Sequence, residues 1–264
     1  MPSVARPDVL KAAYTAASAL IRAREIPTEL LHAQRTIFRS IPARYLPKPA
    51  AGGHVSKSQA AKALEPFDGI AELNNRFSGP SYDSSIKAAG GLYCVLQAQA
   101  LVNEVMFYAR RAGVHKAIPA GGTFAGAAMA DRAVVKIVLM GPMLVADLSP
   151  HNPGTAKFFQ QLERAPGLMN LLARTQYSSQ VSLLGRMMDG DDCSVARGIG
   201  LAIAHSHLRG LSVQTVRKSG RSPEERGDNL VLFGNAGAPI AGLYVDEASY
   251  FDRGGMETFP VQFP

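Results

Sequence analysis

The chain has 264 residues, 47% hydrophobic and 19% charged, values that suit one large domain with appended elements or two small ones and exclude a wholly disordered, collagen-like or coiled-coil molecule. Its 28 Lys and Arg against 21 Asp and Glu leave a formal charge of +7, which favours an anionic partner: a polyanion, a phosphate-bearing ligand or an acidic protein. The basic residues are scattered apart from Arg217, Lys218, Arg221 and Arg226, and no Trp offers a stacking platform, which argues against nucleic acid.

Taken in chain order, residues 8 to 23 place Val9, Leu10, Ala13, Tyr14, Ala17, Leu20 and Ile21 on one helical face. A second helical stretch is expected from Pro27, a good first-turn residue with Thr28 and Glu29 beside it, so that residues 1–35 read as an N-terminal helical extension to a main domain over 36–264. The segments 44–58 and 78–87 are rich in Pro, Gly and polar residues and read as loops. Leu92 to Leu96 reads as a buried strand and Gln97 to Arg111 as the helix after it. A Gly- and Ala-rich connection leads to two strand-like runs, Val134 to Met140 and Met143 to Leu148, separated by Gly141-Pro142.

Helical signals return at 154–164 and 167–186, and Asp189, Asp191 and Asp192 stand before a helix from Ser194 to Leu208 that Gly210 is expected to end. Strands are expected at 211–216, 229–233 and 240–245. This mixed order predicts an α+β fold, a mixed β-sheet core with flanking helices, rather than a regular parallel array. No membrane span is expected, because the apolar run from Ala133 to Val145 is interrupted by Lys136 and Pro142 and falls short of the ~20 residues a bilayer requires. Arg6, Asp8 and Lys11 near the start, without an unbroken apolar block, do not suggest a secretory signal. Cys94 and Cys193, far apart and outside any CxxC pattern, signal neither a zinc site nor a disulfide framework, and a reducing cytoplasm fits them best.

Several familiar chemistries lack their motifs. The Gly-rich stretches 121–126 and 234–242 carry neither GxGxxG nor GxxxxGK spacing, and no GxSxG is present. His205 and His207, two apart on a helix, point about 200° away from each other and would not share a metal ion. The Asp189, Asp191, Asp192 group lacks the calcium-loop pattern, and no metal is expected.

What remains is an ordered set of segments. Phe38-Arg39 comes first, then Asn75-Arg76-Phe77-Ser78, then Gly90-Gly91-Leu92-Tyr93 with Glu104 eleven residues beyond that Tyr. Val145-Ala146-Asp147-Leu148-Ser149 follows, and then Asp191-Asp192-Cys193-Ser194 opening a helix. In this order and spacing the chain, from about Phe38 to Phe233, resembles the RES domain, a family named for an Arg, a Glu and a Ser, whose members are typically toxins of bacterial toxin–antitoxin pairs acting on NAD. The family's usual Gly-Arg-aromatic-Asn reads Asn75-Arg76-Phe77-Ser78 here.

The resemblance implies an ADP-ribosyltransferase-like fold, NAD as substrate, no metal, and a cognate antitoxin as partner. It implies catalytic roles for Glu104, Arg76 and Ser194, with Arg39, Arg76, Tyr93 and Ser194 holding the dinucleotide. These residue types also make chemical sense. Cleavage of the nicotinamide–ribose bond passes through an oxocarbenium-like centre that a fixed carboxylate, Glu104, would stabilise. An Arg fork suits the pyrophosphate, Arg76 first and Arg39 second. Tyr93 would stack on nicotinamide and exclude water, and Ser194 in the first turn of a helix would hold ribose or phosphate. Each residue also has a plainer reading: Glu104 on a helix surface, Arg76 in a solvated loop, Tyr93 in the core, Ser194 as a helix cap. The expected activity is NAD degradation by a glycohydrolase or phosphorylase. An ADP-ribosyltransferase acting on a protein is the nearest alternative, and a noncatalytic protein binding an acidic partner the second.

Overall fold

The computed structural model describes residues 6–66, 77–79, 83–98, 100–102, 105, 129–130, 132–173, 193–214, 228–252 and 255–262. The first helix, α1 (Pro7–Arg22), starts with Pro and Asp8 in its first turn, ends on Arg22, and buries Val9, Leu10, Ala13, Ala17 and Ile21 along one stripe. It stops where Arg24 takes a positive φ of 59°, with the N–H groups of Arg24 and Glu25 closing back on the carbonyls of Ile21 and Leu20.

The stretch after Pro27 is not helical, contrary to the sequence expectation. It forms β1 (Thr28–Leu31) and β2 (Thr36–Pro42). Thr28 and Glu29 next to a Pro mimic a helix start, but Ile37 and Ile41 alternate with Phe38 and Ser40 at the period of a strand, and pairing with distant strands decides the matter. Within the expected loop 44–58 and just beyond it, a 3-10 turn at Ala43–Tyr45 precedes α2 (Lys57–Ala63), which begins with a reciprocal capping box between Ser56 and Gln59.

The remaining strands are β3 (Gly90–Val95), β4 (Arg132–Leu139), β5 (Met143–Asp147), β6 (Gly210–Gln214), β7 (Asp228–Gly234), β8 (Leu243–Asp252) and β9 (Gly255–Pro260). The helices are α3 (Pro153–Glu163), α4 (Pro166–Ala173) and α5 (Ser194–Ala204). The last ends at Ala204, short of the expected Leu208, and Gly210 opens β6, where an added Cβ would stand 2.5 Å from the Val231 carbonyl oxygen. The expected strand at 240–245 begins later than expected, at Leu243, as the start of the longer β8, which turns into β9.

Among the described residues, nine strands form one mixed sheet in the order β1-β5-β6-β7-β3-β2-β4-β8-β9. Among the described strand pairs, only β5 and β6 run parallel, at Ala146↔Leu211, and the chain between them carries α3, α4 and α5 within the long crossover that parallel strands need. The fold is α+β. Among the described residues no helix is long and apolar enough to cross a membrane.

Two cores lie on the two faces. Helices α1, α3, α4 and α5 pack on Ala146, Leu211, Val213, Val231 and Phe233, with Tyr93 at the margin. The opposite core takes Ile37, Ile41, Leu92, Cys94, Leu230, Leu232 and many residues of β4 and β8, closed by Leu46, Val55 and α2. The alternation along β3 and β7 follows: Leu92, Cys94, Leu230 and Leu232 point one way, Tyr93, Val231 and Phe233 the other.

Candidate functional site

Tyr93 leaves β3 on the helix-covered face, half-buried, where it is held at its tip. The backbone N–H of Phe77 donates to its hydroxyl oxygen at 3.0 Å, and the Ser78 hydroxyl shares a hydrogen bond with it at 3.3 Å. Gly91, two residues earlier on the same face, makes room for this arrangement, since a Cβ there would meet Ser78 Oγ at 2.7 Å. Burial pushes the Tyr93 phenol upward, against the opposing pull of the Ser78 and Phe77 hydrogen bonds and of the nearby Arg197 charge. Tyr93 is therefore a neutral, oriented ring with both ends fixed.

Helix α5 forms the adjoining wall, and residues 194 to 203 are all buried. Two glycines let it approach its neighbours on two sides. A Cβ at Gly200 would lie 2.0 Å from the Phe77 carbonyl oxygen, and one at Gly198 would lie 2.5 Å from that of Leu10 in α1. Side chains three and four apart share a face of a helix. Cys193 and Arg197 thus lie with Gly200 toward the Phe77–Tyr93 segment, and Ser194 lies with Gly198 toward α1.

Ser194 is fully buried at the first position of α5, with Cys193 as the N-cap. Its hydroxyl accepts a 2.7 Å hydrogen bond from the backbone N–H of Arg6, the residue that caps α1. The N-terminal helix is in this way built against the candidate serine.

Arg39 is buried on the other face. Its side chain shares the α2 side with Ile37 and Ile41, and its Nη1 donates to the carbonyl of Ala63, the last residue of α2, and to that of Glu65 at 3.1 Å. Cys94 lies on that side too, its thiol pushed up to about 12 by burial and only partly countered by the Arg39 charge. Arg76 and Glu104 lie outside the described residues. Ala100 and Leu101, both helical, pack on Phe38, Val95 and Val134, on the face of the sheet that carries Tyr93.

The structure therefore gathers Tyr93, Ser194 and the 77–78 segment on one face and sets Arg39 on the opposite one. Two further residues join the first group. Arg197 is visible in the sequence as the one charge in the helical segment SVARGIGLAIA. Arg6 carries no such signal, because its contact with Ser194 spans 188 positions. The Asp147 segment proves to be a turn organiser, its carboxylate accepting from the Ser149 backbone N–H and the Asn152 side chain.

A separate cleft of about 600 Å³ lies at the far end of α5, roughly 16 Å away along the helix axis, and is lined by Tyr14, Arg22, Arg24, His205 and His207 among others. Arg22 and Arg24 of this cleft stand at the C-terminal end of α1, where their charge offsets the negative end of that helix's dipole.

No protein-family model matches the chain, and no curated protein matches it. Among solved structures it is similar to a chain of the M. tuberculosis MbcT–MbcA toxin–antitoxin complex, with a TM-score of 0.50 and 19% identity, over 88% of this chain and 90% of that one. At that identity the likeness is one of fold.

Proposed function

We propose that the chain is a RES-type toxin enzyme that cleaves NAD at the nicotinamide–ribose bond. The observation that carries this reading is the meeting of an oriented Tyr ring with the N-terminal turn of a buried helix opening on Ser194, on one face of the sheet. The fold likeness to a chain of a toxin–antitoxin complex supports a toxin role and an antitoxin partner.

In this reading the ring of Tyr93, held through its hydroxyl, lies against nicotinamide and keeps water from its face. The bond between the ribose C1′ and the ring nitrogen breaks, the electron pair leaves with neutral nicotinamide, and positive charge develops on C1′ and the ribose oxygen. The carboxylate of Glu104 stabilises that charge. Water then bonds to C1′ and loses a proton, so NAD and water give nicotinamide, ADP-ribose and one proton. With inorganic phosphate as acceptor the second product is a phosphorylated ADP-ribose. The amides at the start of α5 supply positive potential for the anionic part of the substrate.

The test is incubation of the purified chain with NAD, with and without phosphate, followed by proton NMR. Nicotinamide release is expected, with the co-product naming the acceptor. Glu104→Gln should lower turnover at least about a hundredfold while leaving the fold intact. A folded wild-type sample that releases no nicotinamide in either buffer overturns the reading, and labelled ADP-ribose appearing on added protein would reassign it to a transferase.

A further inference from the structure

We propose that β1 is a docking edge that takes an extended, acidic segment of a partner protein as an added strand; the inference does not depend on the NAD reading. The sheet ends on two edge strands, β1 and β9, and their outer sides differ. Beside β9 the chain covers its own edge. The Val55 N–H donates to the Pro260 carbonyl at 3.0 Å, the Gln262 N–H donates to the Val55 carbonyl at 3.0 Å, and Lys48 pairs with Glu257 at 2.7 Å. Among the described residues nothing does the same for β1.

The inner pairing of β1 fixes which of its backbone groups face out. The Asp147 N–H donates to the Pro27 carbonyl at 2.9 Å, and bonded pairs alternate along an antiparallel ladder, so Glu29 and Leu31 turn their N–H and C=O groups toward β5. Thr28 and Leu30 turn theirs outward, and such a row is the template on which an extended peptide adds a strand. Native edges are commonly guarded by a charged side chain, whereas Leu30 is apolar and 48% exposed, on the helical face beside its partner Leu144 and opposite the buried Leu31. The four residues of β1 limit the added strand to a short segment.

The adjoining cleft selects the charge of that segment. Thr28 and Leu144 belong to its wall together with Arg22, Arg24, His205 and His207, and no Asp or Glu lines it. Arg22 and Arg24 are exposed, and neither forms an ion pair among the described residues. The C-terminal ends of α1 and α5 each carry the equivalent of about half a negative charge, so two full positive charges leave the rim positive. The carboxylates close by in sequence are directed elsewhere: Glu25 accepts from Gln161, Asp147 accepts from Ser149 and Asn152, and Glu29 lies on the other face of β1 from Thr28. A second copy paired through β1 would bring the same arginines to a junction whose cleft has no carboxylate to receive them. An acidic segment is the complement that fits.

The test is calorimetric titration of the full chain with a blocked peptide of alternating Val and Glu, and with the same peptide carrying Lys for Glu, together with amide hydrogen exchange followed by NMR. The Glu peptide is expected to bind and the Lys peptide not to. The amides of Thr28 and Leu30, fast in the free chain, should slow by at least about tenfold in the complex. Two variants separate backbone from charge. Thr28→Pro removes an outward N–H without touching the bonds to β5, a change that edge strands tolerate, and should weaken the Glu peptide by about tenfold or more. Arg22→Gln combined with Arg24→Gln should weaken it by a similar factor of about ten and remove most of the salt dependence, with the melting temperature close to wild type. If Thr28→Pro melts lower, the arginine pair and the wild-type exchange decide without it. No binding of the Glu peptide, equal binding of the Lys peptide, or binding that leaves Thr28 and Leu30 unprotected overturns the proposal. So does protection of both amides before any peptide is added: with a dimer in sedimentation the edge belongs to a second copy, and with a monomer to the chain itself.

Discussion

The two faces of the sheet solve the same problem, covering a buried apolar surface, in different ways. The α2 face is filled from the strands themselves, and the polar group it encloses, Arg39, spends its hydrogen bonds on backbone carbonyls. The helical face is assembled by close approach of backbones: Gly200 onto Phe77, Gly198 onto Leu10, and Ser194 onto the N–H of Arg6. The first face is built for stability, and the second holds polar groups at fixed positions beside a half-buried ring. Activity should therefore be sensitive to packing on the helical face, and stability alone to packing on the other.

The largest effect is expected where the helical face is tightest. Gly200→Ala places a Cβ 2.0 Å from a backbone oxygen that does not rotate away. Ala is the better helix former by about 1 kcal/mol, but an overpacked contact of this kind costs about 1–3 kcal/mol or more, so the net sign is destabilising. Because Phe77 must move, the hydrogen bond that holds Tyr93 moves with it, and under the proposed NAD reading turnover per folded molecule drops as well. Gly167→Ala in α4 is the control, with nothing within 4 Å of the added carbon and an expected gain of about 0.4–1 kcal/mol. Chemical denaturation of the two variants checks both signs; a stable, fully active Gly200→Ala would break the contrast between the faces.

The next effect belongs to the α2 face. Arg39→Met leaves the carbonyls of Ala63 and Glu65 without their buried donor, which should cost about 1–3 kcal/mol and lower the melting temperature by several degrees. A melting experiment checks it, and an unchanged midpoint in Arg39→Met would show that the α2 face does not depend on this donor.

How much of this was legible in the sequence depends on the range over which each feature is decided. Helix α1 was readable because its stripe of Val9, Ala13, Ala17 and Ile21 is local, and β3 to β7 because short apolar runs stood between breakers. The helix expected after Pro27 fails because the strand character of that stretch is settled by pairing with β5 and β4, about 90 to 118 residues later, while its local residues imitate a helix start. The Ser56–Gln59 capping box announced α2 in plain sight, inside a segment whose Pro and Gly content argued for a loop. At the candidate site, Tyr93 and Ser194 stand out in the sequence only through their order along the chain, and the structure sets them on one face of the sheet. That Arg39 faces the other way was contained in the alternation of Ile37 and Ile41, which puts 39 on their side and Phe38 on the opposite one. The contact of Arg6 with Ser194 was not recoverable, since nothing in either residue's neighbourhood marks the other.

The smallest effect lies at the far end of α5 and asks how well its helical packing holds when charge is added. His205, the C-cap residue, is exposed at one edge, with its Nδ1 3.2 Å from the Tyr14 hydroxyl of α1 and its ring edge-on to that Tyr. Desolvation lowers its pKa below the ordinary value of 6.5, with the Lys87 charge acting in the same direction and a hydrogen bond to the Lys87 backbone opposing it. A ring that gives its other N–H to a carbonyl accepts at Nδ1, so protonation would put a second donor against Tyr14 and reverse that bond. A His whose folded pKa is depressed favours the neutral form, so its contribution is fully present above the ordinary value and is lost as pH falls through the folded one. Denaturant midpoints taken from pH 7.5 down to 5 should therefore decline in the wild type, and His205→Asn, which keeps a polar group but cannot take up a proton in that range, should flatten the decline. An identical slope in both proteins would mean that the junction between α1 and α5 tolerates the charge, and that the tight packing of the helical face is confined to its Ser194 end.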